Sequence, residues 1–379
     1  MRFFVYLFMA YRVNPDRSIP WNNLPELPID SELYRSVAIY EQLGNAKAAL
    51  GRLQGRSIVI PNQGLLINSI SLQEAKASSA IENIFTTDDE LYKAYSQDQT
   101  QQTNGPAKEI LNYREALWEG YEHLQQTQLI DEAYFVKTYR AVTKFGDGIR
   151  PPIAQIYIKE GGTGPNAGRA FYTPPRGTGI VEAKMNNLID FLNDDQQYPL
   201  DPLLKMAIGH FQFEAIHPFR DGNGRTGRIF NIHYLTNKGL LDYPILFLSR
   251  YILEHKDDYY AGLSGITQRG SWENWLLFML KTVEVTANLT YNKINDIIGA
   301  KDAILKFISA DTEITRPELL VNALFTQPFT RVKHLEDAYA ENTARKYLDQ
   351  LADLHILEKR MISGSAYYLN LELYRILSE

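Results

Sequence analysis

The chain has 379 residues, 45% of them hydrophobic, with 39 Lys and Arg against 45 Asp and Glu and a formal net charge of −6. This is enough apolar material for two or three domains with a sizeable core, and the acidic balance argues against nucleic-acid binding by the molecule as a whole. The absence of cysteine excludes thiol catalysis, disulfides and Cys-ligated zinc, and makes a reducing, cytoplasmic location the default expectation.

Met1 to Tyr11 form a short apolar run behind Arg2. It is too short to span a bilayer and has no small-residue cleavage pattern after it, so it reads as a buried edge segment or an upstream start, with no membrane partner. From Ser31 to about Ser96 the apolar spacing is mainly helical, interrupted by the turn Pro61-Asn62-Gln63-Gly64, and the polar run Ser96 to Gly105 closes a helical module assigned to residues 1–100. Inside it Ser78 and Glu82 stand four apart, a spacing that alone describes a solvated helix face. Between Ile153 and Thr173 a period-two pattern places Ile156 and Ile158 on one arm and Ala170 and Tyr172 on the other, joined by the glycine-rich Gly161 to Gly168, which predicts a β-hairpin.

Leu204, Ala207, Ile208, Phe211 and Ala215 recur at helical spacing, as do Ile229, Ile232 and Leu235, so His217 to Arg228 form a loop and helix start held between two helices. The loop is the chemically richest stretch of the chain. Gly222 and Gly224 flank Asn223 and free the backbone for positive φ and close ligand approach, while the following helix offers unpaired N–H groups and a positive dipole end to an anion. Arg225 and Arg228, three apart, share a helical face and suit one polyphosphate. Asp221 is a hard oxygen donor of the kind Mg²⁺ takes when phosphate oxygens complete its shell. His217, with an ordinary pKa near 6.5, is the natural general base. Gly222 to Gly227 formally match G-x-G-x-x-G, but a helical pattern rather than a strand precedes them. His210, Glu214 and His217 could line a metal face, yet H-E-x-x-H is absent and Pro218 ends the helix, so His210 and Glu214 read as a hydrogen-bonded pair supporting the loop. His233, on an apolar helix, reads as structural.

The stretch His217-Pro218-Phe219-Arg220-Asp221-Gly222-Asn223-Gly224-Arg225-Thr226-Gly227-Arg228 resembles the motif of the Fic (Fic/Doc) family, with every defining position present. The resemblance runs from about Ser18 onward and implies a mostly α fold: a Fic-type helical bundle at residues 101–297 with a small β-hairpin flap. It also implies AMPylation, the transfer of AMP from Mg-ATP to a Tyr, Thr or Ser hydroxyl of a target protein with release of pyrophosphate, with self-modification and a homodimer as further expectations. His217 would then deprotonate the hydroxyl and Asp221 would hold Mg²⁺. Gly222, Asn223, Gly224, Arg225 and Thr226 would bind the nearer phosphates, Arg228 would reach the γ-phosphate, and Phe219 would anchor the loop. Ser78-Ser79-Ala80-Ile81-Glu82-Asn83 resembles the family's inhibitory motif, in which Ser78, Glu82 and Asn83 are regulatory and Glu82 pairs with Arg228. Phe171, Tyr172 and Thr173 would belong to the flap that aligns the target by strand addition. Tyr260, in the pair Tyr259-Tyr260, would contact adenine.

The helix from Trp272 to Val285 reads as scaffold. From about Gly299 the order is helix (Asp302 to Ile308), helix (Arg316 to Leu324), helix (Thr343 to Leu354) and two strands (Ile356 to Ile362, Ala366 to Leu371) around a Ser-Gly turn, which predicts a winged helix-turn-helix at residues 298–379. Asn342 or Thr343 would cap its recognition helix, with Arg345, Lys346 and Gln350 towards DNA. Residues 299–379, however, hold ten Lys or Arg against twelve Asp or Glu, which favours protein docking over DNA binding. Two alternative functions stand beside AMP transfer: AMP removal, with Glu82 positioning a water, and a DNA-binding regulator with a Fic sensor domain.

Overall fold

A computed structural model describes residues 11–57, 63–96, 105–159, 170–362 and 364–378. The apolar run up to residue 10, the turn residues Pro61 and Asn62, most of the polar run before Gly105 and the glycine-rich hairpin connection lie outside the described residues.

The fold is mostly helical. Three helices come first: α1 (Val37–Ser57), α2 (Gln63–Ile81) and α3 (Asp88–Ser96). Two more, α4 (Pro106–Thr127) and α5 (Glu132–Thr143), precede the short antiparallel strands β1 (Ile158–Lys159) and β2 (Ala170–Tyr172). Next come α6 (Ile180–Asn193), α7 (Pro202–Ile216), α8 (Asn223–Asn237), α9 (Leu248–Glu254), α10 (Lys256–Arg269) and the long α11 (Trp272–Asp311). The chain closes with α12 (Pro317–Leu324), β3 (Phe329–Thr330), α13 (Glu341–Asp353), β4 (Leu357–Ile362), β5 (Ser365–Asn370) and α14 (Leu371–Ser378). Strand β5 lies between β3 and β4, antiparallel to both.

Local chemistry sets the boundaries of the site helices. Asp201 accepts the Leu203 N–H at 2.9 Å and Pro202 occupies the first turn, starting α7. Asp131 caps α5 through the Tyr134 N–H at 2.8 Å. Helices α7 and α8 are buried on nearly every face, which explains why their apolar residues crowd rather than form a stripe. At Gly227 a Cβ would lie 2.5 Å from Glu214 Oε1 and 3.1 Å from Phe213 Cδ1, so a hydrogen there lets α8 approach α7. Helix α2 packs against α4 and α9. The buried Glu74 fixes it by accepting from Ser249 N at 2.8 Å, Ser249 Oγ at 2.5 Å and Tyr113 OH at 3.1 Å.

Three details depart from the sequence expectations. Gln63 and Gly64 are helical rather than turn. The scaffold helix runs on unbroken from Trp272 to Asp311, through residues 297 and 298. Helix α13 starts at Glu341 behind Ala340 with no side-chain cap, so Asn342 and Thr343 sit within its first turn, and Arg345 bonds Glu341 at 2.7 Å.

The Gly227 contact is testable. Gly227→Ala forces a methyl between Phe213, His210 and Glu214, and should cost about 1–3 kcal/mol in urea unfolding. Unchanged stability would show that α7 and α8 separate freely there.

Candidate active site at the start of helix α8

Helix α7 ends because His217 adopts a left-handed conformation (φ 51°) while its N–H still bonds Phe213 O at 2.9 Å. Two devices shape the loop that follows. Phe219 is buried and stacked on Tyr139 with ring centroids 4.2 Å apart. The Asn223 amide closes back on the same residue, accepting the Phe219 N–H and donating to the Phe219 carbonyl, each at 2.9 Å. The Asn223 side chain therefore braces the loop. Gly222 takes the left-handed turn (φ 69°) into α8, where a Cβ would strike Thr143 at 2.7 Å.

Arg150, which the sequence reading did not single out, clamps the loop from outside. Its Nε donates to His217 O at 2.8 Å, its Nη2 to Pro175 O at 2.5 Å and Ile216 O at 3.2 Å, and its N–H to Pro218 O at 2.8 Å. It sits in no recognisable motif. Only its burial, at 1% exposure, reveals its role.

Arg228 is also 1% exposed. Its Nε donates to Ser78 Oγ at 2.8 Å, and its Nη2 donates to Ser78 O at 3.0 Å and Glu82 Oε1 at 2.8 Å. Glu82 reaches this position because α2 ends just before it. Asn83 turns left-handed (φ 63°) and the Ile84 N–H bonds Ser79 O at 3.0 Å, a helix-ending turn that suits Asn. Gly224 completes the approach, since a Cβ there would stand 2.4 Å from Glu82 Oε1. Burial acts to raise the Glu82 pKa, but the attraction and hydrogen bond of Arg228 outweigh it and hold the carboxyl below its ordinary range.

The second arginine of the motif has carboxylates of its own: Arg225 lies 3.0 Å from Glu109 and 3.7 Å from Asp221. Asp221 is 65% exposed at the loop. Thr226 is buried, with its N–H on Gly222 O at 2.9 Å. Next to α8 opens a cavity of about 130 Å³ whose wall includes Glu82, Glu214, His217, Arg228, Tyr259 and Tyr260. Burial, with the Arg150 charge adding to it, pushes the His217 pKa down to about 4, so the imidazole is neutral at pH 7. Its Nδ1 is buried with no hydrogen-bond partner among the described residues.

The remaining residues of interest divide by environment. Tyr260 lines the cavity, while Tyr259 is buried with its hydroxyl 2.8 Å from His210 Nε2. His210 also contacts Gly227 O at 3.2 Å, so the expected pairing of His210 with Glu214 is not formed. His233 bonds Tyr134 OH at 2.8 Å and Leu117 O at 2.7 Å, a structural role. In the flap, Phe171 faces the cavity and carries Arg17 over its ring at 5.4 Å. Tyr172 donates to Ala215 O at 2.7 Å and Thr173 to Arg17 O at 2.6 Å, so these two side chains brace the flap from within.

This geometry agrees with similarity to known proteins. Residues 40–122 match the Fic/DOC family N-terminal domain, residues 107–235 the Fic/DOC family domain, and residues 306–373 the C-terminal domain of the protein adenylyltransferase SoFic-like family. The chain belongs to the Fic/DOC family. Protein adenylyltransferase fic-1 of Caenorhabditis elegans is 29% identical over 151 residues, covering 39% of this chain and 26% of that protein. Protein adenylyltransferase Fic of Aedes aegypti is 30% identical over 115 residues, covering 30% of this chain and 22% of that one. The chain thus matches about a quarter of the length of these relatives. A Fic family protein from Desulfovibrio desulfuricans superposes with a TM-score of 0.57 at 18% identity, over 91% of this chain and 98% of the other, which shows the shared fold.

The depressed His217 pKa has a stability consequence. The unfolded imidazole takes its proton near pH 6.5 and the folded one only near 4, so this contribution is present above pH 6.5 and is lost as pH falls towards 4. An NMR titration of the imidazole should find His217 neutral at pH 5.5, and a midpoint near 6.5 would remove burial as the cause.

Proposed function

We propose that the chain is a protein adenylyltransferase that transfers AMP from ATP to a protein hydroxyl and is restrained by Glu82. The observation that carries this reading is the buried Arg228, held 2.8 Å from Glu82 on the wall of a cavity that also holds the neutral His217. The target hydroxyl oxygen attacks the α-phosphorus as His217 takes its proton. The bond to the bridging oxygen breaks and pyrophosphate leaves with the electron pair. The α8 N-terminus, with Gly222 and Gly224, offers backbone N–H groups to the phosphates, and Arg225 and Arg228 supply positive charge. Asn223 serves by holding the loop through Phe219.

Asp221 is an exposed carboxylate beside this cradle, and no cluster of three or more His, Asp or Glu suited to a metal occurs among the described residues. That composition fits Mg²⁺ held by one carboxylate, with phosphate and water oxygens completing its shell, where it would offset phosphate charge. Glu82 restrains transfer by occupying the Arg228 fork that a γ-phosphate would use.

We assign residues 1–100 to the regulatory module, 101–297 to the catalytic core and 298–379 to a winged helix-turn-helix that docks protein. Supporting the last role, this unit touches the regulatory helices: Arg360 bonds Asp89 at 2.7 Å, and Tyr374 meets Tyr92 edge-on at 5.9 Å. No helix among the described residues is long and apolar enough to cross a membrane.

With radiolabelled ATP, His217→Ala should transfer AMP at least ~100-fold more slowly while binding ATP normally. Retained transfer would remove His217 from the mechanism. Glu82→Gly should raise AMP transfer, including self-modification, by at least ~5-fold, and adding Arg228→Ala should erase the gain. If Glu82→Gly instead abolishes release of AMP from a modified protein and leaves addition unchanged, Glu82 positions a water and the restraint is wrong.

A further inference from the structure

Phe211, Glu214 and Ala215 of α7 form one wall of the cavity, Tyr259, Tyr260 and Leu263 of α10 another, and Phe171 of the flap contributes to it. These surfaces enclose an apolar slot of a kind that takes a flat ring. Glu214 is one of these lining residues and has no role so far. Its Oε1 is buried and has no hydrogen-bond partner among the described residues. A buried polar oxygen left unpaired is costly, and one on a cavity wall points to a ligand that completes it. Gly227 makes the placement possible, because a Cβ there would lie 2.5 Å from that oxygen.

We propose that Glu214 reads the nucleobase, its carboxyl pairing as donor and acceptor with the 6-amino and ring-nitrogen edge of adenine. The inference rests on the reading of this cavity as a nucleotide site. Such pairing requires the carboxyl to keep its proton. The charged and titratable groups around it are Arg228 on α8, Glu82 after α2, His210 and His217 on α7, and Tyr259 and Tyr260 on α10. Burial raises the Glu214 pKa to about 8, with Arg228 opposing and Glu82 assisting. A protonated carboxyl donates its O–H to a ring nitrogen and accepts from the amino group, whereas a carboxylate would only accept.

Calorimetry of ATP binding to the full chain carrying Glu82→Gly tests this. Glu214→Ala should weaken binding about 10-fold, whereas Glu214→Gln, which keeps a donor and an acceptor, should stay within ~3-fold. Raising the pH from 7 to 9 should weaken binding with Glu214 and leave the Glu214→Gln protein unaffected. Purine riboside triphosphate, lacking the amino group, should bind about 10-fold more weakly than ATP only when Glu214 or Gln is present. A Glu214→Ala variant that binds ATP as tightly as the Glu214 protein at pH 7 overturns the assignment while the nucleotide site stands. So does a Glu214-dependent loss with 2′-deoxy-ATP but not with purine riboside triphosphate, which would place the carboxyl on the sugar. Absence of ATP binding in the Glu82→Gly protein itself overturns both the nucleotide reading and this one.

Discussion

Everything at this site depends on one buried cation needing a partner. Arg228 has almost no contact with water, and burial alone disfavours its charge. Ser78 supplies two neutral acceptors that fix the guanidinium in place, and Glu82 supplies the compensating charge. Removing one partner of a fully buried pair costs about 3–5 kcal/mol, and the value here lies lower because the Glu82 side chain is 35% exposed. On the proposed reading, the same asymmetry lets the pair act as a switch. The inner half is permanent, while the outer half faces a cavity through which a polyphosphate could replace the carboxylate with another anion.

The rest of the molecule keeps that exchange in register. Glu74 pins α2 to α9 and α4 one turn before Ser78, so the segment bearing Glu82 is set on a fixed helix. Arg150 and Asn223 do the same for the loop, spending their hydrogen bonds on backbone carbonyls and on Phe219. The positive end of α8 is thereby held towards the cavity, which Gly224 and Arg228 line.

The legible part of this arrangement lay in short-range pattern. The glycines, the spacing of Arg225 and Arg228 and the position of His217 follow from loop and helix geometry visible in twelve consecutive residues. The Ser78-to-Glu82 segment, an unremarkable helix face alone, acquired meaning only beside that loop. What stayed hidden were residues whose role is set by tertiary neighbours. Arg150 acts through carbonyls 66 and 67 positions away, Glu109 meets Arg225 across 116, and Glu74 bonds Ser249 across 175. Local periodicity carries no trace of such partners. The bracing role of Asn223 was hidden for a related reason: its type suited an anion, and its bonds to the backbone of Phe219 carry no local signal.

The two arginines also show why compensation need not be uniform. Arg225, itself only 5% exposed, answers to Glu109 and, more distantly, Asp221, whose carboxylates are substantially exposed, so water weakens these contacts from the acidic side. Arg228 answers to Glu82 in a drier place, where each change of partner is felt strongly. Charges of equal sign, three residues apart on one helix, therefore divide the work. On the proposed reading Arg225, whose carboxylate partners already face water, can meet an incoming phosphate at the lower cost, and Arg228 admits it only when Glu82 leaves. On that reading, control of the site lies with the arginine that has least access to water, because there an anion has the poorest substitute in solvent.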